Sequence, residues 1–301
     1  MTHILDNKNR EKTVIALGYF DSVHIGHRKV LALGKELAKK LGAILVVLTF
    51  DGNLRAYLKG EHETIVYPKK EREKLLKEAG ADVVDFMPVD YNLLSLGKLA
   101  FLNKINREYN VVGYVCGADY RFAKFAKGNA SDIERYAKEK NQIALVVPDV
   151  NFNEKRVSTT NIKALLSDGK IEQANKLLGE PFYVCGKVYR DRGVGEKIGF
   201  PTANIKLDRE NQTLKKGVYG GKVVLDGATF KAIINLGNRP TFDLEESVIE
   251  AHLLGFDGVL YDKEIKIEFI KYLRDVVKFT DVDTLKKQLE EDKISIGEMD
   301  D

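Results

Sequence analysis

The stretch Thr13-Val14-Ile15-Ala16-Leu17-Gly18-Tyr19-Phe20, running on through Asp21-Ser22-Val23-His24-Ile25-Gly26-His27, decides how the first half of this chain folds. An apolar run of strand length meets a glycine-bearing loop, and a helical pattern then runs from about His27 to Leu41. A strand without polar alternation is buried on both faces, the condition of a strand inside a parallel sheet. The unit recurs downstream. Strand runs at 43–50, 82–89, 111–117 and 142–148 alternate with helical patterns at 71–80, 96–109 and 131–141. Such alternation predicts βαβ units and a doubly wound α/β domain. Ligands of such sheets bind beyond the carboxyl ends of the strands, where the Gly18–His27 loop lies. Gly26 lets backbone approach a ligand, and the free N–H groups and positive dipole end of the following helix favour a phosphate. Gly18, Phe20, Asp21 and Gly26 are therefore candidate nucleotide contacts, with His24 and His27 as candidate hydrogen-bond donors to phosphate oxygens. No third ligand of suitable spacing lies nearby, which argues against a metal at this histidine pair.

The chain has 301 residues, 44% of them hydrophobic, enough for two cores at a prior of about 150 residues per domain. The expected division is 1–180 and 181–301, because Leu178-Gly179-Glu180-Pro181 reads as a helix stop followed by a helix breaker. With 48 Lys+Arg against 45 Asp+Glu, the net charge of +3 gives no support to a nucleic-acid partner. No apolar run approaches the ~20 residues of a membrane span, and the start is polar. A cytoplasmic enzyme without nucleic-acid or membrane partners is expected. Cys116 and Cys185 lie in apolar stretches and read as buried free thiols.

After helices at about 160–166 and 171–178, five short runs at 182–189, 217–225, 228–237, 247–254 and 264–273 alternate with glycine punctuation, predicting an antiparallel barrel or sandwich. A helix returns at about 283–292. Chemistry-bearing residues cluster at the joints. Ser158, Thr159, Thr160 and Lys163 open a helix and suit terminal phosphates, although hydroxyls there also serve as caps. Asp119 and Arg121 follow a strand and suit nucleotide or flavin contacts. Gly193, Gly195, Lys197, Gly199 and Pro201 form a loop able to fold over phosphates, and Thr202 and Asn204 offer hard oxygens from one side of an extended segment, suiting Mg²⁺-bound ATP. Downstream come Asn235-Leu236-Gly237-Asn238-Arg239-Pro240-Thr241-Phe242, and then Glu250 and His252 on one face of a strand, where a carboxylate is placed to accept a hydroxyl proton.

His24-Ile25-Gly26-His27 is the HxGH signature of the nucleotidyltransferase superfamily. Together with Gly199-Phe200-Pro201-Thr202-Ala203-Asn204, Gly217-Val218-Tyr219, the Asn235–Phe242 motif with its following glutamate, and the segment from Leu273 to Phe279, it makes the whole chain resemble the bacterial bifunctional riboflavin kinase/FMN adenylyltransferase family, or FAD synthetases. The resemblance implies a C-terminal six-stranded barrel with a terminal helix. In that barrel Thr202 and Asn204 help hold Mg–ATP, Glu250 acts as base on the ribityl 5′-hydroxyl, and Arg274 lies on a flap near the flavin. It also implies that His24 and His27 stabilise the α-phosphate attacked by FMN, and that riboflavin, FMN, FAD and ATP are the ligands of a monomer or weak homo-oligomer. The chain departs from the family pattern in four places. Ser22 stands for a usual glycine, Gly52-Asn53-Leu54 replaces a Pro-His-Pro element, Lys163 replaces arginine, and Val276 replaces an acidic residue. Alternatives are a monofunctional riboflavin kinase and a flavin-binding regulator.

Overall fold

In the computed structural model, the residues described are 11–52, 57, 64–190, 202–206, 214–240, 245–277 and 281–297. The chain divides into two units, Met1–Thr159 and Thr160–Asp301. The first holds five parallel strands: β1 (Lys12–Leu17), β2 (Ile44–Phe50), β3 (Val83–Met87), β4 (Asn110–Gly117) and, after two short strands β5 (Arg121–Phe122) and β6 (Gly128–Asn129), β7 (Ile143–Val147). Their order is β3-β2-β1-β4-β7. The chain winds outward from β1 to β3, then returns to β4 on the other side, so the crevice between β1 and β4 is the switch point at which such folds bind ligands. Val14, Ile15, Ala16, Leu45 and Val47 are fully buried, as strands covered on both faces require.

Among the described residues this unit also holds helices α1 (Ile25–Leu41), α2 (Lys69–Glu78), α3 (Tyr91–Ser95), α4 (Lys98–Glu108) and α5 (Ala130–Glu139), followed by a hairpin of β8 (Asn151–Phe152) and β9 (Lys155–Arg156). α1 ends at Gly42, whose left-handed φ of 58° closes the helix at no steric cost. Strands, helices and order agree with the doubly wound expectation. The short α3 and the two small hairpins were not foreseen, because two-residue strands carry no periodicity.

Helix α6 (Thr159–Ser167) spans the division, and α7 (Ile171–Leu178) stops at Gly179. Six antiparallel strands follow: β10 (Phe182–Lys187), β11 (Ala203–Lys206), β12 (Gly217–Leu225), β13 (Ala228–Pro240), β14 (Glu245–Leu253) and β15 (Glu264–Arg274), in the order β10-β15-β12-β13-β14-β11. Tyr189 N–H donates to Asn204 O at 3.0 Å, joining the chain beyond β10 to β11. The sheet is therefore a nearly closed barrel, which decides between the barrel and sandwich readings. Its lumen is filled by Ala203, Ile205, Tyr219, Ile234, Ala251, Ile267 and Phe269, all fully buried. A Cβ on Gly221 would lie 2.0 Å from Glu268 O, so only glycine permits that strand crossing. The terminal helix α8 (Val282–Gly297) lies on the outside, with Ile296 against Val218 and Ile233.

One expectation fails. Cys116 is buried, but Cys185 is exposed, because strand alternation turns it away from the lumen that Phe182 fills. Among the described residues, no helix is long and apolar enough to cross a membrane.

Candidate active sites

The loop leaving β1 is shaped by two non-glycine residues in the left-handed region, Phe20 at φ 48° and Val23 at φ 43°. Such conformations each cost about 1–3 kcal/mol and collect at functional sites. Phe20 folds back on Gly18, where a Cβ would come within 2.6 Å of its ring, and meets His27 edge-on at 5.1 Å. Asp21 is fully buried and accepts the Val66 N–H at 3.0 Å. Phe20 and Asp21, expected along the nucleotide's path, lie in the interior and shape the loop. His24 is the N-cap of α1. Its Nδ1 accepts the His27 N–H at 3.1 Å, and the two imidazoles stack at 3.6 Å. A Cβ on Gly26 would sit 3.0 Å from His24 Cε1, which explains the glycine between the histidines.

Because Nδ1 accepts, the neutral His24 carries its proton on Nε2, the atom left to donate to an anion. Burial, aided by the charge of Arg156, pulls His24 down to about 4, although a backbone hydrogen bond opposes the shift. Burial, with His24 beside it, holds His27 well below the ordinary imidazole value. Both rings are neutral at pH 7. The unfolded chain protonates His24 near 6.5 while the folded chain resists until about 4, so the unfolded state binds more protons in that window. Stability of the first unit should therefore fall as pH drops from 6.5 to 4, by up to ~3 kcal/mol from this group. Urea melts of wild type and His24→Asn at pH 7 and pH 4.5 check this, and the variant should lose less.

Around this loop, Ser22 Oγ lies 3.0 Å from Thr159 Oγ1, and Val157 N–H donates to Val150 O at 2.9 Å, with Val150 packed beside Gly26. Thr159, the last residue of the first unit, is thereby tied to the HxGH loop, with Ser158 before it; Thr160 and Lys163 belong to α6 of the second unit. Asp119, beyond β4, pairs with Arg156, which also reaches Asp149 at 3.2 Å. Arg121 sits exposed on β5. Two contributors escaped the sequence reading. Arg156 stands in the charged run NEKR, at the end of β9, and Arg72 lies in the run KKEREK, which looks like a solvated helix face. Arg72 is instead buried, donating to Phe50 O at 2.6 Å and to Tyr19 O at 3.5 Å, while Thr49 Oγ1 holds the same Tyr19 carbonyl at 2.7 Å.

In the second unit, the register places Asn204 of β11 opposite Glu250 of β14, Glu250 opposite Asn235 of β13, Asn235 opposite Val218 of β12, and Val218 opposite Arg274 of β15. Three expected kinase residues thus share one row on the outer face of the barrel, away from the apolar lumen. Asn204 Nδ2 lies 3.3 Å from Thr202 O, and Asn235 Nδ2 lies 3.5 Å from Glu250 Oε2. Asn204 is 5% exposed, and its Oδ1 has no hydrogen-bond partner among the described residues. A buried neutral oxygen of this kind, beside Thr202 and a carboxylate, fits a hard divalent cation such as Mg²⁺. Arg274 makes a bidentate pair with Asp292 of α8, at 3.0 and 2.7 Å, and Gln288 supports that carboxylate at 3.3 Å. Asp292 was not anticipated, since an acidic residue on an amphipathic helix carries no signal of burial. Gly193, Gly195, Lys197, Gly199 and Pro201 lie outside the described residues.

The family model for FAD synthetase matches residues 6–161, and that for riboflavin kinase matches residues 178–299. The bifunctional riboflavin kinase/FMN adenylyltransferase of Bacillus subtilis is 31% identical over 296 residues, covering 97% of this chain and 93% of its own. The chain belongs to the bifunctional riboflavin kinase/FMN adenylyltransferase family. The Listeria monocytogenes member is likewise 31% identical, over 93% of this chain and 90% of its own. A solved structure of a Streptococcus pneumoniae protein named as a macrolide-efflux protein matches with a TM-score of 0.90 at 28% identity, covering 97% of this chain and 96% of that one.

As a riboflavin kinase/FMN adenylyltransferase, this enzyme serves FAD biosynthesis. It phosphorylates riboflavin to FMN with ATP and adenylylates FMN to FAD with release of pyrophosphate. One departure from the family pattern has a local explanation. The Ser22 hydroxyl, where members usually carry glycine, ties the HxGH loop to Thr159.

Proposed function

We propose that residues 181–301 perform the kinase reaction and residues 1–180 the adenylyl transfer, with the following roles. Glu250 accepts the proton of the riboflavin 5′-hydroxyl as its oxygen bonds to the γ-phosphorus of ATP and the bond to the bridging oxygen breaks, releasing ADP. Thr202 and Asn204 would hold Mg²⁺, which neutralises phosphate charge when bound. Gly193, Gly195, Lys197, Gly199 and Pro201 fold over the phosphates, and Arg274 faces the flavin. In the first domain, an FMN phosphate oxygen attacks the α-phosphorus of a second ATP and pyrophosphate leaves. The Nε2–H of His24 and the ring of His27 stabilise the α-phosphate oxygens as charge builds. Ser158, Thr159, Thr160 and Lys163 hold the outer phosphates, Gly18, Gly26, Asp119 and Arg121 form the rest of the nucleotide site, and the buried Phe20 and Asp21 shape its loop from beneath.

The observation that carries this assignment is the register that sets Asn204 opposite Glu250 on the outer face of the barrel. The ligands are then riboflavin, FMN, FAD and ATP, with no nucleic-acid or membrane partner, in a monomer or weak homo-oligomer. A reducing cytoplasmic location goes with this reading, since Cys116 and Cys185 form no disulfide. Incubation with riboflavin, ATP and Mg²⁺, followed by chromatography of the flavins, should show FMN first and FAD later. FMN supplied with ATP should yield FAD and pyrophosphate. Absence of FAD from the second incubation would sink the assignment of the first domain.

A further inference from the structure

Asn235 is the polar residue of the outer-face row that has no role in the reactions described above. Its backbone already lies in the ladder, paired with Glu250 on one side and Val218 on the other, so the fold makes no demand on its side chain. Two positions earlier on the same face, Ile233 packs with Val218 and Ile296 of α8. An apolar residue at 235 would extend that cluster. The chain instead places a primary amide there. Its Nδ2 lies 3.5 Å from Glu250 Oε2, and its Oδ1 is buried without a hydrogen-bond partner among the described residues. A buried acceptor in this condition calls for an explanation, because leaving it unmet is costly. Contacts as long as 3.5 Å are common at catalytic centres before substrate binds, and shorten in the complex.

We infer that Asn235 is a positioning residue for the kinase reaction: its amide N–H fixes the orientation of the Glu250 carboxylate, and its amide oxygen accepts a hydrogen bond from a hydroxyl of the polyol substrate. The inference rests on the reading of Glu250 as proton acceptor. An amide suits both tasks, being neutral and carrying donor and acceptor on one planar group. It holds the carboxylate without a second charge that would compete for the proton. It also favours a substrate rich in hydroxyls, since an analogue lacking the matching hydroxyl leaves the buried oxygen unmet.

The test is a double-mutant cycle on the full-length enzyme with riboflavin, ATP and Mg²⁺. Asn235→Ala should lower kcat for FMN formation about 10–100-fold, with KM for ATP within about twofold of wild type. If Asn235 acts through Glu250, adding Asn235→Ala to Glu250→Gln should cost less than about twofold further, because coupled residues are non-additive. Equal losses in both backgrounds, or wild-type kcat in Asn235→Ala, would overturn the inference. So would a loss accompanied by a raised KM for ATP and a lowered melting temperature, which marks a purely structural role. Should Glu250→Gln keep wild-type kinase activity, the underlying reading of Glu250 fails instead. An inactive Glu250→Gln beside a normal Asn235→Ala would refute the role of Asn235 alone.

Discussion

Replacing Glu250 with Gln is expected to lower FMN formation from riboflavin by about 10²–10⁴-fold, the range for losing a positioned general base. Conversion of supplied FMN to FAD should continue at the wild-type rate. Glutamine has nearly the same shape and leaves the ladder intact, because Glu250 pairs with Asn204 and Asn235 through its backbone. Asn235 Nδ2 still finds an oxygen there. What disappears is the proposed acceptor for the hydroxyl proton, while Thr202 and Asn204, the proposed Mg–ATP residues, stay in place. The signature is therefore a fall in kcat with KM for ATP little changed. Chromatography of flavins from the two incubations, riboflavin plus ATP and FMN plus ATP, separates the reactions in one preparation. Loss of both activities together would show that the two units do not work independently.

The parts of this molecule that repeat a period were legible in its sequence. Uninterrupted apolar runs gave β1, β2 and β4, and GVYGGKVVL coincides with β12 from Gly217 to Leu225. β11 reads in the sequence only as an extended segment, since the four residues of Ala203–Lys206 are too few to establish alternation. The six-strand count came from the family resemblance. Site residues divided along a similar line. His24, Asn204 and Glu250 belong to motifs with fixed spacing and could be named. Arg72, Arg156 and Asp292 do their work through long-range packing, and a charge on a helix or turn reads locally as solvated whichever way it faces. Arg72 shows the cost of that rule. It stands among lysines and glutamates, yet it is buried across the ends of β1 and β2, holding the carbonyls of Tyr19 and Phe50. The outward direction of the kinase row needed the three-dimensional structure as well, because strand alternation marks two faces without saying which one closes on the lumen.

The second large effect is expected at His24, and two substitutions separate its two duties. Its Nδ1 caps α1 by accepting the His27 N–H, while Nε2–H is the proposed donor to the α-phosphate. Asparagine is a strong N-cap but places no donor at the Nε2 position. His24→Asn should therefore keep the stability of the first domain at neutral pH and lower FMN adenylylation by about 10²–10³-fold, the usual effect of removing one donor to a developing oxyanion. His24→Ala loses the donor and the cap together. Its adenylylation should fall at least as far, with about 1 kcal/mol of stability lost besides. Kinase activity should be unchanged in both variants and serves as the internal standard. Since burial keeps the imidazole neutral above about pH 4, the wild-type adenylylation rate should show no step near pH 6.5 from this residue. A wild-type profile that rose on acidification through pH 6.5, and lost that rise in His24→Asn, would mean that the imidazolium does the work. The neutral-donor account of the HxGH site would then be wrong.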